Sequence, residues 1–162
     1  MACGVALLAV FATASAQAAA GRAVVRTVRG SAEYTEGTQS GPLKVGKVLK
    51  SGAVVNTAAN SQVDLFLGEN GPVVRINQSS SLALDKLTFD QTGIDTVIET
   101  EMNLQSGEIL GNVKKLAKAS NYEVKTPMGV AGIRGTQYSI NANSGAVTVI
   151  SGTVMFSYVN AA

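Results

Sequence analysis

The sequence predicts an all-β domain of many short strands, and three observations carry that reading. Apolar and polar residues alternate with period two through most of the chain after residue 22. Turn-forming pairs, Asn-Gly and Ser-Gly among them, punctuate the alternating runs. Glycine is frequent at 17 residues while proline is scarce at 3, the balance of a chain with many turns. The expected architecture is a β-roll or short β-helix-like twisted stack, with an antiparallel β-sandwich as the alternative.

The first 20 residues, MACGVALLAVFATASAQAAA, carry no charge and contain an apolar run from Val5 to Phe11. Such a run followed by small residues predicts an export signal over 1–20, with Ala16-Gln17-Ala18 and Ala18-Ala19-Ala20 as candidate cleavage sites. The run is too short to span a bilayer. The one cysteine, Cys3, falls inside the signal, so the processed chain has no disulfide and relies on its core. A domain over 21–162 is long enough for that, since a chain of this size buries about two-thirds of its unfolded surface.

The strands follow in order. Val63, Leu65 and Leu67 alternate with Asp64 and Phe66, and Val74 and Ile76 flank Arg75. Ile98, Thr100, Met102 and Leu104 alternate with Glu99, Glu101 and Asn103. Tyr138 and Ile140 alternate with Ser139 and Asn141, and Val154, Phe156 and Tyr158 with Met155 and Ser157. Each pattern sends apolar side chains to one face of a strand. Glu69-Asn70-Gly71 and Asn143-Ser144-Gly145 read as hairpin turns. Thr126-Pro127-Met128-Gly129 has the Pro and Gly placement of a type I turn. Only NVKKLAKAS (112–120) reads as a helix, about two turns long. A weak repeat, apolar residue then Gly then apolar residue, recurs at Gly30, Gly52, Gly107 and Gly152 and predicts one strand corner used several times.

Net charge is +2, too small to draw the molecule as a whole to nucleic acid or anionic lipid. Aromatics are 5% with no Trp, which argues against a stacking platform for bases or sugars. Locally, 22–50 carries six basic and two acidic residues, 85–108 six acidic and one Lys, and 111–134 five basic and one acidic. Such stretches neutralise each other within a fold, pair between copies, or stand as solvated faces. There is no histidine, which removes the commonest general base and metal ligand. Without His and mature Cys, no Ser–His or Cys–His nucleophile can be assembled. Glu99 and Glu101 share the polar face of one predicted strand, about 7 Å apart, within the spacing of roughly 5 to 9 Å that glycosidases use. Any strand with a charged outer face offers the same spacing, so the pair reads as a candidate binding site and not as a catalytic one. Asp90-Gln91-Thr92-Gly93-Ile94-Asp95 lacks the alternating ligands of a calcium loop and reads as a solvated turn. No catalytic residue, metal or cofactor is expected.

The sharpest segment is VKTPMGVAGIRGTQYSI (124–140): a strand, a Thr-Pro turn, a small apolar stretch, then Arg-Gly-Thr leading into the next strand. LKVGKVLKSGAVVNTAANSQVDLFL (43–67), INQSSSLALDKL (76–87), LQSGEIL (104–110) and AVTVISGTVMFSY (146–158) stand around it. In that order the pieces resemble the FecR domain family over residues 24–158. Thr126, Pro127, Gly129, Arg134, Gly135 and Thr136 form its structural motif. Arg134 offers a planar fork of donors to loop carbonyls or a carboxylate. Gly135 permits close approach or positive φ, and Thr136 bonds locally at the strand start.

Namesake members of that family sense the state of an outer-membrane transporter and pass it to a sigma factor, through a cytoplasmic segment, one transmembrane helix and a periplasmic domain. Behind an export signal, the resemblance implies a periplasmic or cell-surface interaction module of a bacterial envelope. Its expected partner is an envelope protein or other macromolecule, with no nucleic acid and no membrane span after processing. Self-association through β edges or opposed charges, as a structural envelope protein, is the alternative.

Overall fold

The computed structural model describes residues 18–159, so the predicted export signal lies outside the described residues except for its last three alanines. The described chain is all β, with a single 3-10 turn and no α-helix. Its strands are β1 (Ala19–Ala20), β2 (Ala23–Arg29), β3 (Ala32–Glu36), β4 (Gln39–Pro42), β5 (Val48–Leu49), β6 (Ala53–Thr57) and β7 (Gln62–Phe66). They continue as β8 (Val73–Ile76), β9 (Ser81–Asp90), β10 (Val97–Ser106), β11 (Glu108–Asn112), β12 (Asn121–Thr126), β13 (Gly129–Asn141) and β14 (Val147–Tyr158). Hydrogen-bonded neighbours run β4-β3-β6-β9-β10-β12-β13-β11-β8-β7-β2-β5, with β1 beside β9 and β14 beside β13. The expected all-β class therefore takes the form of one curled mixed sheet, in which β10 and β12 run parallel.

The sheet curls because β13 belongs to two arms. Residues 129–132 pair with β12, which leads on to β10, β9 and β6. Residues 137–141 pair with β11, which leads on to β8, β7 and β2. One core fills the space between. Val25, Val63, Leu65 and Ile109 of the second arm join Leu82, Leu84, Met102 and Val124 of the first in a single buried cluster. Each such side chain contributes roughly 1.5–3 kcal/mol. The period-two reading of β7, β8 and β10 sends the predicted residues inward, Thr100 included. On β14 the same alternation leaves Val154 and Phe156 only half-buried and Tyr158 exposed.

The helix expected over 112–120 does not form. Val113 donates its N–H to Thr136 O at 2.9 Å, and a turn closes from Ser120 N to Ala117 O at 3.0 Å. Two turns of helix are too short to offset the cost of nucleation. The irregular path instead buries Val113 and lays Leu116 on the core. The Asn70-Gly71 turn also differs from its expectation. It does join antiparallel β7 and β8, but through a 3-10 turn, Gly68–Asn70, that sinks Asn70 completely. Asn70 Nδ2 is shared among Thr88 O, Glu99 O and Thr100 Oγ1 at 2.9–3.0 Å, tying one arm to the other. A Cβ on Gly21 would stand 2.2 Å from Asn70 Oδ1. The Cα–H of Gly21 therefore faces that oxygen, a weak donor for an acceptor with no stronger one.

The four glycines of the sequence repeat all adopt positive φ, between 74° and 93°. Gly30, Gly52 and Gly107 stand between successive strands, so there the repeat marks left-handed corners, whereas Gly152 lies inside β14. At Gly107 the corner is also tight, since an added Cβ would lie 2.1 Å from Ser80 Oγ, whereas at Gly52 it would meet open space. Gly107→Ala is expected to lower stability by about 2–4 kcal/mol and Gly52→Ala by about 1–2 kcal/mol. Urea denaturation of the pair reads the difference. Equal losses would show that contact with Ser80 adds nothing.

Candidate functional site

The residues from Thr126 to Thr136 seat two neighbours of β13. Thr126 Oγ1 accepts from Met128 N and Gly129 N, both at 3.2 Å, and donates to Gly129 O at 3.1 Å. Pro127 holds the second turn position and Met128 keeps a negative φ, as a type I turn requires. At Gly129 a side chain would collide with β14, its Cβ falling 2.3 Å from Ser157 O. Further along, the ladder passes from Arg134↔Thr153 to Gln137↔Ser151, so Gly135 and Thr136 oppose Gly152 alone. This is a β-bulge, with Gly135 at φ +63°. Thr136 is buried and ties the bulge to β14. Its Oγ1 donates to Thr153 O at 2.8 Å and accepts from Thr153 N at 3.1 Å.

Arg134 is exposed and turns to the other side. Its guanidinium reaches Lys118 O and Ser120 O, each at 3.4 Å, across the loop that joins β11 to β12. Long, water-exposed bonds hold that loop weakly. The tight contact in Arg-Gly-Thr is therefore the threonine.

Glu99 and Glu101 stand on the outer face of β10 within an ion-pair ladder. Lys86 Nζ lies 2.6 Å from Glu99 Oε2, and Lys125 Nζ lies 2.7 Å from Glu101 Oε2 and 3.9 Å from Asp85 Oδ2. Lys125 comes from the basic stretch and its partners from the acidic one, so folding sets the two opposed stretches against each other. The hydrogen bond from Lys125 holds the Glu101 carboxyl below its usual range, and the same bond holds the ammonium above its own. These two carboxylates face lysines and do not form a bare acidic face. In the exposed loop after β9, Asp90 Oδ1 accepts from Thr92 Oγ1 and N at 2.7 and 2.8 Å, which lowers its pKa. Among the described residues no cluster of three Asp, Glu, Cys or His is placed to hold a metal.

The residues that sequence reasoning missed lie at the stacked corners. Asn60, Asn77, Gln78, Glu108, Asn141 and Asn143 line an open polar recess of about 610 Å³. Asn60 N donates to Gln78 Oε1 at 2.8 Å, Asn77 Nδ2 to Glu108 Oε2 at 2.8 Å, and Gly107 N to Asn143 Oδ1 at 3.0 Å. Ser139 Oγ fixes the other Glu108 oxygen at 2.6 Å. Asn60 and Ser79 take positive φ, 55° and 53°, which turns each corner sharply. In the sequence these residues read as separate turns, and only the stacking of corners brings them together. Inside the core, Tyr122 and Tyr138 meet edge to face with their hydroxyls 3.2 Å apart. Burial pushes both phenols up, so both stay protonated.

The family model described as FecR protein matches residues 53–155. Comparison with curated proteins and with solved structures gave no match.

Two outcomes follow from this geometry. Thr136→Val is expected to cost about 1–3 kcal/mol, since it removes the buried hydroxyl that bonds both backbone groups of Thr153, while Arg134→Lys costs less than about 1 kcal/mol. Thermal melts rank the two, and the reverse order would make the arginine the stronger contact of the Arg-Gly-Thr element. The second outcome concerns pH. A carboxyl whose pKa is lowered by folding adds stability above its unfolded value and loses it as pH falls through the folded one. Glu101→Gln should therefore flatten the acid limb of the stability profile between about pH 2 and pH 5, by at most about 1 kcal/mol for so exposed a pair. A variant profile that overlays the parent would show the pair to be idle.

Proposed function

The chain belongs to the FecR family, and from that premise we propose that it is a non-enzymatic, exported recognition domain of the bacterial envelope, in the periplasm or at the cell surface, that binds another protein in envelope signalling. The observation that carries the reading is the recess at the stacked corners. Side-chain amides and a glutamate fixed by Asn77 and Ser139 converge there on rigid strand ends. Amides both donate and accept, which suits the peptide groups of a partner's loop. The inventory of the sequence supports the non-enzymatic half, for it holds no histidine and its one cysteine lies in the predicted export signal.

If the chain is exported, the two candidate cleavage sites leave different N-termini. Ala19 and Ala20 pair with Phe89 and Thr88 as β1, and Gly21 N donates to Leu87 O at 2.7 Å. Cleavage after Ala18 keeps this pairing, whereas cleavage after Ala20 removes it. The mature chain is therefore expected to begin at Ala19. Intact-mass spectrometry of protein from the native envelope reads this directly, and a chain retaining Met1 or Cys3 would overturn export in this form.

Binding is tested with a photo-crosslinking residue placed at Gln78 in the recess and, separately, at the fully exposed Ile94. Defined envelope partners should be captured from position 78 and not from 94. Glu99 and Glu101 remain the rival face. If reversing both to Lys abolishes capture while the fold persists, the site belongs to the ion-pair ladder. Steady hydrolysis of glycan or peptide by the purified domain would overturn the reading altogether.

A further inference from the structure

Among the described residues β14 pairs with β13 alone, so its outer edge is open. The other sheet ends are blunted in the usual ways. β4 has four residues and ends in Pro42. β5 has two, with Lys47 and Lys50 on either side. β14 has twelve residues and no such protection. No Asp, Glu, Lys or Arg occurs anywhere from 135 to 162.

The edge has a defined chemistry. An irregularity at Ile150, between Gln137↔Ser151 and Tyr138↔Val149, divides the strand. The part beyond Gly152 runs in unbroken register to Tyr158. Thr153 turns both backbone groups to Thr136, and Val159 N donates to Met128 O at 3.1 Å. Antiparallel alternation then assigns Met155 and Ser157 to the same ladder and turns the N–H and C=O of Val154, Phe156 and Tyr158 outward. Met155 and Tyr158 beside them are 75% and 74% exposed, and Phe156 packs on Tyr158 with ring centroids 4.7 Å apart. Methionine and aromatic side chains around open backbone groups are the composition of an interface centre.

We propose that this edge pairs with the same edge of a second copy, as an antiparallel dimer whose two-fold axis passes beside Met155. A partner steered by charge finds none here, while a second copy meets no repulsion. The strand is also complementary to itself. With Met155 on the axis, Val154 faces the second copy's Phe156, Thr153 its Ser157, and Gly152 its Tyr158. These are branched–aromatic, hydroxyl–hydroxyl and aromatic-over-glycine pairs, which sheets favour. The outward groups of Val154 and Phe156 meet as a bonded pair. This interface lies apart from the corner recess and does not depend on the binding role given to it.

Sedimentation velocity of the processed chain from about 1 to about 500 μM should show a monomer–dimer equilibrium. Met155→Lys sets a charge at the axis and should weaken it at least about tenfold. Val154→Pro removes an outward N–H without touching the β13 ladder and should do the same. In the parent, amide exchange at Val154, Phe156 and Tyr158 should slow as concentration rises. A monomer whose three amides exchange fast throughout overturns the proposal, and so does a dimer indifferent to both variants. Protection of those amides at every concentration in a monomer would show that a segment of the same chain covers the edge.

Discussion

The structure depends on a single strand that serves two halves of a sheet. β13 can do so because its backbone shifts register at Gly135 and Thr136 while β14 follows it, paired in one run from Thr153 to Tyr158 and, past a second irregularity at Ile150, from Val147 to Val149. Without the bulge, a straight strand would carry β11 and β12 in one plane, and the arms could not close over a common core. At the bulge the Thr136 hydroxyl bonds both backbone groups of Thr153, next to the Arg134↔Thr153 pair where the regular ladder stops. A residue that looks like a minor member of the Arg-Gly-Thr element is thus the one on which the curl of the sheet rests.

Polar side chains elsewhere work in the same manner, standing in for main-chain bonds where strands part. Asn70 crosses from one arm to three acceptors on the other. Thr57 and Ser80 exchange bonds at one corner, with Ser80 N donating to Thr57 Oγ1 at 3.0 Å and Glu108 N to Ser80 Oγ at 3.0 Å. Each satisfies a group that would otherwise be buried bare, at a cost of about 1–3 kcal/mol. The hydrophobic core supplies the bulk of the driving force. These few contacts decide which curled arrangement it adopts.

Much of this was legible in the residues. Period two located the buried faces of β7, β8 and β10, because each is covered by the opposite arm and alternation is what a one-sided burial leaves behind. Three of the four repeated glycines marked true corners, because only a residue without Cβ turns there cheaply, while Gly152 fell inside β14. The helix over 112–120 failed because its propensity is local, whereas Val113 and Leu116 answer to a strand far away in the chain. Asn70 failed differently: Asn-Gly chemistry predicts a turn, and nothing in a sequence says that the turn will be pushed into the core. Glu99 and Glu101 were correctly placed side by side on an outer face, but their lysine partners lie on neighbouring strands whose order no single-sequence pattern reveals. The corner recess was invisible for the same reason, being assembled from four separate turns.

The shared strand also constrains the order of events as the chain is made. β11 and β12 precede their common partner, so each leaves the ribosome or a translocation channel with one side unpaired. Neither arm acquires its closing neighbour until residues 129–141 arrive. Contacts so distant in sequence form slowly, and exposed strand edges waiting for them invite wrong pairing. Residues 135–162, which carry no charge to discourage such encounters, are then the segment for which a holding chaperone has most to do.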